Sequence, residues 1–499
     1  MSTSQLARCG VLIGCVIASA CGHGSPDRPS AGSSTAGSAA PGSAAADPWQ
    51  SKPTPPKPPD TPESRAARAD AALGRVAAIM PKLAKLRQLD FLHDIPRQYQ
   101  TTDDFRSYVH AEIAKELPAG KAADYSTALY QLGLLKTPKN LAELEEQAFV
   151  TQAGAYYDPK TKKFFLVMVP DNALMLDTVS AHELTHGLQD QHFDLLKYLP
   201  DDDGSAAADA PDDPKKLDED AESARHFVVE GDATFTMFLY AVQESMPAGG
   251  SGAPISPKMI DLLGAQLAQF AKMSPEEIAK MNSPMADDPD LKKAADAMAD
   301  IPATVLVPMT DSYMQGAVLV LTAYKRGGWA AVNDLFAHPP ASTEQVLHPD
   351  TKYYPQPDPP RRVHLPKLAG AQLAKAVLGE LQWQVYFSLW DPPMKATASE
   401  GWGGDQVSVV RRADGRLIAR IATAWDSPND ATEFAQAYAA SLTARFAGAT
   451  GDATTALGFA RPDGTGKIFM ETDGDKVYVI DGADSRAELA GMIANTKID

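Results

Sequence analysis

Residues 182–186 read His-Glu-Leu-Thr-His, and no other string in the chain restricts its fold as tightly. Two histidines four positions apart project from one face of an α-helix, so both imidazoles can reach a single ion. Neutral imidazole suits zinc. Glu183 stands beside the first histidine, placed to take a proton from a water that the ion activates. The pattern falls in an apolar run (Leu174, Met175, Val179) that predicts a helix over about Asn172 to His192.

Zinc needs a third protein ligand. His192 follows His186 by six residues, as in metzincins, but that pattern also needs a glycine three residues after the second histidine. Gln189 stands there, and Gly187 comes too early. His226 and Glu230 lie at i and i+4 on the next expected helix, Glu222 to Gln243, so either can face the metal. Glu222 is a further alternative. Val229-Glu230-Gly231-Asp232-Ala233-Thr234 resembles the Glu-Gly-x-Ala segment of gluzincin peptidases. That resemblance implies that Glu230 completes a set of two histidines and one glutamate around Zn2+. The gap from His186 to Glu230 exceeds the usual gluzincin spacing, and the acidic stretch between the helices accounts for the excess by looping out.

Three more segments extend the resemblance. They are Gly154-Ala155-Tyr156-Tyr157-Asp158-Pro159, Gln189-Asp190-Gln191-His192-Phe193-Asp194 and Ser342-Thr343-Glu344-Gln345-Val346-Leu347-His348-Pro349. Together they resemble an uncharacterised family of bacterial and archaeal proteins classed as zinc metallopeptidases. The resemblance covers about 70 to 425. It implies a zincin-like fold, with Ala153 to Val169 as a sheet edge above the active-site helix, and it supplies no substrate.

Supporting groups follow from the chemistry. Asp190, at i+4 from His186, is placed to hold that ring's second nitrogen, or else is a solvated acid at the helix end. Peptide hydrolysis develops an oxyanion that needs a donor. His348, Tyr353 and Tyr313 are the candidates, with His348 first because its loop carries Thr343-Glu344-Gln345. Gly401-Trp402-Gly403-Gly404-Asp405 lacks the lysine and strand-to-helix context of a phosphate loop. Trp402 is expected to pack a hinge between two domains.

The three cysteines, Cys9, Cys15 and Cys21, all fall within the first 21 residues. No disulfide framework or thiolate metal site is therefore possible in the remainder. Arg8 and the apolar run from Cys9 to Ala20 read as an export signal, too short to span a bilayer. Ala18-Ser19-Ala20-Cys21 resembles a bacterial lipobox, which implies cleavage before Cys21 and its acylation. An ordinary signal peptide cut near Ala20 is the alternative. Gly22 to about Pro62 is rich in Gly, Ser, Ala and Pro and reads as a tether, stiffer over Lys52 to Pro62.

Of the 499 residues, 44% are hydrophobic and 22% charged, as in a soluble globular protein of two or three domains. The net charge of −18 argues against nucleic acid as a partner. Part of that charge lies in Asp201 to Glu222, an aperiodic loop. Helical spacing recurs over Ala66–Leu89, Thr102–Leu117, Ala122–Leu134, Asn140–Phe149, Ile255–Lys280, Ser312–Lys325 (stopped at Gly327-Gly328) and Ala330–Phe336. Ala153–Tyr157 and Lys163–Val169 predict a hairpin. His338–Pro366 predicts a long Pro-rich loop. Two further hairpins, Gln406–Val410 with Leu417–Ala424 and Lys467–Glu471 with Lys476–Ile480, each precede a helix, Thr432–Phe446 and Ser485–Asn495.

The expected class is α+β: a mainly helical zincin-like domain over 64–375 with a small edge sheet, then an α+β unit over 376–499. Within the first, 64–149 supplies N-terminal helices and 150–375 the catalytic part. The expected function is a membrane-tethered envelope zinc hydrolase of peptides or proteins, with Glu183 as general base. A non-catalytic envelope lipoprotein that binds a partner is the alternative. A zinc hydrolase of a non-peptide amide is a third reading.

Overall fold

The computed structural model describes residues 61–152, 154–169, 173–200, 216–246, 255–273, 300–394 and 396–499. The export signal, Cys21, the tether up to Asp60, Ala153, Asn172, most of the acidic stretch (201–215) and the end of the helix expected to Lys280 lie outside the described residues.

In chain order the elements are α1 (Pro62–Arg87), β1 (Arg97–Tyr99), α2 (Thr102–Glu116), α3 (Ala119–Leu132), α4 (Leu141–Gln152), β2 (Ala155–Asp158), β3 (Lys163–Leu166), α5 (Ala173–Phe193) and α6 (Leu195–Tyr198). They continue with α7 (Glu219–Ser245), α8 (Pro257–Phe270), α9 (Ala303–Ala337), α10 (Thr343–Leu347), β4 (Val363–His364), β5 (Ala371–Ala376) and α11 (Gly379–Trp390). The chain ends with β6 (Trp402–Arg411), β7 (Leu417–Trp425), α12 (Pro428–Arg445), β8 (Thr450–Asp452), β9 (Gly458–Ala460), β10 (Lys467–Asp473), β11 (Lys476–Ala483), α13 (Arg486–Asn495) and β12 (Lys497–Ile498). The class is α+β.

Local chemistry explains the main boundaries. α1 opens on a capping box between Thr61 and Ser64. α7 opens on Asp218, whose side chain accepts from the Ala221 N–H, and three acids in its first turn complement the helix dipole. α9 is broken at Gly327 and Gly328, where Gly328 adopts φ 64° and ψ −155°; only glycine takes that conformation without strain. The stop expected at this pair is therefore a kink, after which the helix resumes.

Two cores organise the chain. In one, α1, α5, α7, α8 and α9 pack with the three-stranded sheet, ordered β1-β3-β2. β1 runs parallel to β3, and β2 antiparallel to it. β1 is too short to leave a sequence signal. The second core lies under a seven-stranded antiparallel sheet, ordered β5-β6-β7-β11-β10-β9-β8. Along β7, Ile421 and Trp425 face this core, while Ile418, Ala422 and Ala424 face a third cluster under α13. That alternation is the period of two that a sheet covered on both faces requires.

The second core crosses the boundary expected at 375. Phe105, Val109, Leu129 and Leu132, from α2 and α3, share it with Trp383, Val407 and Phe434. β5 also belongs to the seven-stranded sheet. Trp402, expected at a hinge, is instead the fully buried first residue of β6. Its Nε1 donates to Asp405 at 2.8 Å, as does Trp383 Nε1 at 2.9 Å. The expected Pro-rich loop carries α10, a π-helical turn and β4. Among the described residues no helix is long and apolar enough to cross a membrane.

Candidate metal centre

His182 and His186 sit mid-helix on α5, and both are buried. α7 packs across them and presents Glu230. His182 Nε2 lies 3.0 Å from His186 Nε2 and 3.1 Å from Glu230 Oε2; His186 Nε2 lies 3.6 Å from the same oxygen. Zinc–ligand bonds of about 2.0–2.2 Å in a tetrahedron separate ligand atoms by roughly 3.3 Å. The three observed separations bracket that value. Among the described residues this is the one group of three or more His, Cys, Asp or Glu side chains arranged to hold an ion.

Gln189 fixes the tautomer of His186. Its Oε1 lies 2.9 Å from His186 Nδ1, while its Nε2 donates to Val229 O (2.9 Å) and to Asp232 Oδ2 (3.0 Å). Both of those partners are acceptors, so the amide has one orientation. His186 Nδ1 must therefore donate, which leaves the Nε2 lone pair aimed at His182 and Glu230. Asp232 is held in turn by Arg87, at 2.8 Å to Nε and 3.2 Å to Nη2. Both ion partners are fully buried. The guanidinium also stacks over Trp329, 4.5 Å from the ring centre. Sequence reasoning missed Gln189, Asp232 and Arg87, although Asp232 lies only two residues past Glu230.

Two lone pairs and a carboxylate converging in a dry site repel one another unless a cation sits between them. The protonation equilibria carry that signature. Burial, aided by the neighbouring His186, pulls the His182 ring down to about 4 against the pull of Glu230. Burial opposes charge on Glu230, but the two histidines outweigh it and hold that carboxyl at about 2. On His186 burial works downward, yet Glu230 and Gln189 outweigh it and raise the ring above its usual range. A proton on His186 or a metal ion can meet this demand, and the donor set of two imidazoles and one carboxylate fits zinc.

Glu183 points toward β2. Its Oε2 accepts from the Tyr157 N–H at 3.0 Å, whereas its buried Oε1 has no hydrogen-bond partner. Burial first, then Glu230, pushes its carboxyl well above the usual range.

The closeness of α7 to α9 places Glu230. A Cβ on Gly231 would lie 2.2 Å from the Gly316 carbonyl carbon, and one on Gly316 would lie 2.3 Å from Phe227 O. The glycine after Glu230 is thus a helix-packing requirement, and it lets the α7 backbone ride against α9.

Other expected residues fall elsewhere. Asp190 does not hold His186, because one position further along α5 turns it toward β2 and β3. There it accepts from Tyr157 Oη (2.7 Å) and Lys162 Nζ (2.8 Å). It therefore anchors the strand whose backbone holds Glu183. His348, the first choice of oxyanion donor, pairs its Nε2 with Glu380 Oε1 on α11 at 2.9 Å. Tyr353 donates to His338 O. Of the three candidates it is Tyr313, on α9, that stands at the centre, its ring 5.7 Å from that of His182. His226 lies one turn before Glu230 and lines a neighbouring cavity, outside the group of three. His192 contacts Asp90 O at the end of α5.

A family model described as a domain of unknown function (DUF8575) matches residues 366–492. It covers about a quarter of the chain, from just before β5 through α13, and leaves the metal centre outside. No curated protein matches the chain, and no solved structure does.

Proposed function

We propose that this protein is a zinc-dependent peptidase, with His182, His186 and Glu230 as metal ligands and Glu183 as general base. One observation carries the reading: the buried Glu183 Oε1 beside the triad has no partner, while Oε2 is pinned by the Tyr157 N–H. A purely structural metal site needs no base, and an unsatisfied buried carboxylate oxygen costs stability.

Zinc held there would supply a Lewis acid and lower the pKa of water into the neutral range. Glu183 takes the proton from the attacking water and delivers it to the leaving amine nitrogen. Its elevated proton affinity suits a group that must hold that proton in transit. Tyr313 stays protonated, because burial and then the charges of Glu230 and Glu183 push its hydroxyl well up. It is the group we assign to donate to the developing oxyanion. Gln189 holds the His186 ring, and the Arg87–Asp232 pair holds Gln189.

The proposal extends to an exported, lipid-anchored enzyme of the cell envelope. Its support is the apolar run from Cys9 to Ala20 ahead of Cys21, followed by the Gly/Ser/Ala/Pro tether. Metal analysis of purified protein tests the ligand set. About one zinc per chain is expected for wild type and a loss for Glu230→Ala. Unchanged zinc in Glu230→Ala would remove Glu230 from the set.

A further inference from the structure

A cavity of about 40 Å³ adjoins the metal centre between α4, α7 and α9. Glu230 and Tyr313 line it on the metal side, and Phe149, Phe227, Val305 and Met309 supply apolar wall. Against that wall stands Glu145 of α4, only 5% exposed. Its carboxyl has no hydrogen-bond or ion-pair partner among the described residues. Glu145 belongs to the stripe Leu141, Leu144, Glu145 and Ala148, which follows the i, i+3, i+4, i+7 spacing of the buried face. An acid in that stripe costs folding free energy, and burial pushes its carboxyl up to about 8. Such a cost is expected where the group serves binding.

We propose that this cavity is a substrate subsite that receives a primary ammonium group, with Glu145 as its counter-ion. The inference rests on the peptidase reading above. A volume of this size admits roughly three water-sized groups, which suits an ammonium with one or two methylenes and is too small for an extended guanidinium side chain. The apolar walls cover the methylenes, and the acid meets the charge. Because the cavity shares Glu230 and Tyr313 with the metal centre, a substrate anchored in it lies beside the catalytic groups. The ammonium is either a lysyl side chain or the free amino terminus of a peptide.

Calorimetric titration of the zinc-loaded full chain with n-propylamine and with n-propanol, its uncharged counterpart, tests the site. Wild type and Glu183→Gln should bind the amine at least tenfold more tightly than the alcohol, and Glu145→Gln should lose that preference. Equal binding of amine and alcohol by wild type would overturn the proposal without reference to any variant. So would an undiminished preference in Glu145→Gln. Peptides with free or acetylated amino termini, each with lysine or leucine near the cleaved bond, identify the source. Higher kcat/KM for free termini supports the amino-terminal source, and a lysine preference in acetylated peptides supports the side chain. Equal kcat/KM across all four overturns the subsite. Amine selectivity without cleavage of any peptide would sustain the subsite while removing the peptidase reading.

Discussion

Gln189 accepts from Nδ1 of His186 at 2.9 Å while donating to the buried Asp232 at 3.0 Å. One amide thereby couples a candidate zinc ligand on α5 to a buried ion pair between α7 and α1. Gln189→Leu removes the acceptor and frees the ring to turn. Loss of such an outer partner typically lowers metal affinity by roughly 10- to 100-fold. Competition with a chromophoric chelator should show a fall of that size with the helical circular dichroism unchanged; unchanged affinity would mean that the amide does not orient the ring.

The α7–α9 contact gives a second expectation. Gly231→Ala places a methyl carbon 2.2 Å from the Gly316 carbonyl carbon. Backbone cannot yield as a side chain end can, so the helices must separate. A loss of roughly 1–3 kcal/mol is expected from overpacking, together with lower zinc content, because Glu230 moves with α7. Urea denaturation and metal analysis check both. At Gly187 the added carbon meets the end of the Ile95 side chain at 2.2 Å. Because Ile95 can move, Gly187→Ala should cost less than Gly231→Ala.

Arg87 and Asp232 are fully buried partners. Removing one partner leaves the other charge in a dry interior, a loss of about 3–5 kcal/mol. Arg87→Met should therefore destabilise strongly. The double variant Arg87→Met, Asp232→Asn should recover part of the loss, since no uncompensated charge remains. A double-mutant cycle by urea denaturation reads the coupling; additive losses would contradict it.

Glu145 should make stability fall as pH rises. Its folded-state pKa, about 8, lies above the 4.5 of a solvated glutamate in the unfolded chain. Below the lower value both states are protonated and nothing is lost. Between the two, the unfolded chain releases a proton that the folded chain keeps, so stability declines until about pH 8 and then levels. Glu145→Gln should match wild type near pH 4.5 and exceed it by a few kcal/mol at pH 8. Melting temperatures of both proteins across that range should diverge in this direction. Parallel curves would show that the carboxyl is not buried uncharged.

Much of the centre was legible because its geometry is local. His182, Glu183 and His186 share one helix, and helical periodicity places them together. Glu230 needed the resemblance, since nothing in spacing alone separates it from His226; the packing of α7 on α9 makes the choice. Asp190 and Gln189 differ by one position, a rotation of about 100° around the helix, and only tertiary contacts reveal which of them faces His186. His348 was picked from a loop, which gives no direction to its side chains, and α11, which carries its partner Glu380, was not expected. The sheet hairpins were readable from alternation and turn residues, whereas β1 and β5 pair with strands distant in sequence, and β8 and β9, which pair with each other, are three residues each and too short to show alternation. The same non-locality placed α2 and α3 in the core of the C-terminal sheet.

The proposed role of Glu183, as the base of a zinc peptidase, is open to direct test. Wild type and Glu183→Gln, each shown to carry one zinc, should be incubated with a peptide library and the products identified by mass spectrometry. Cleavage by wild type is expected, with a fall of at least ~100-fold in the variant, the scale of a lost general base. Stoichiometric zinc with no cleavage by either protein, or equal cleavage by both, would contradict it.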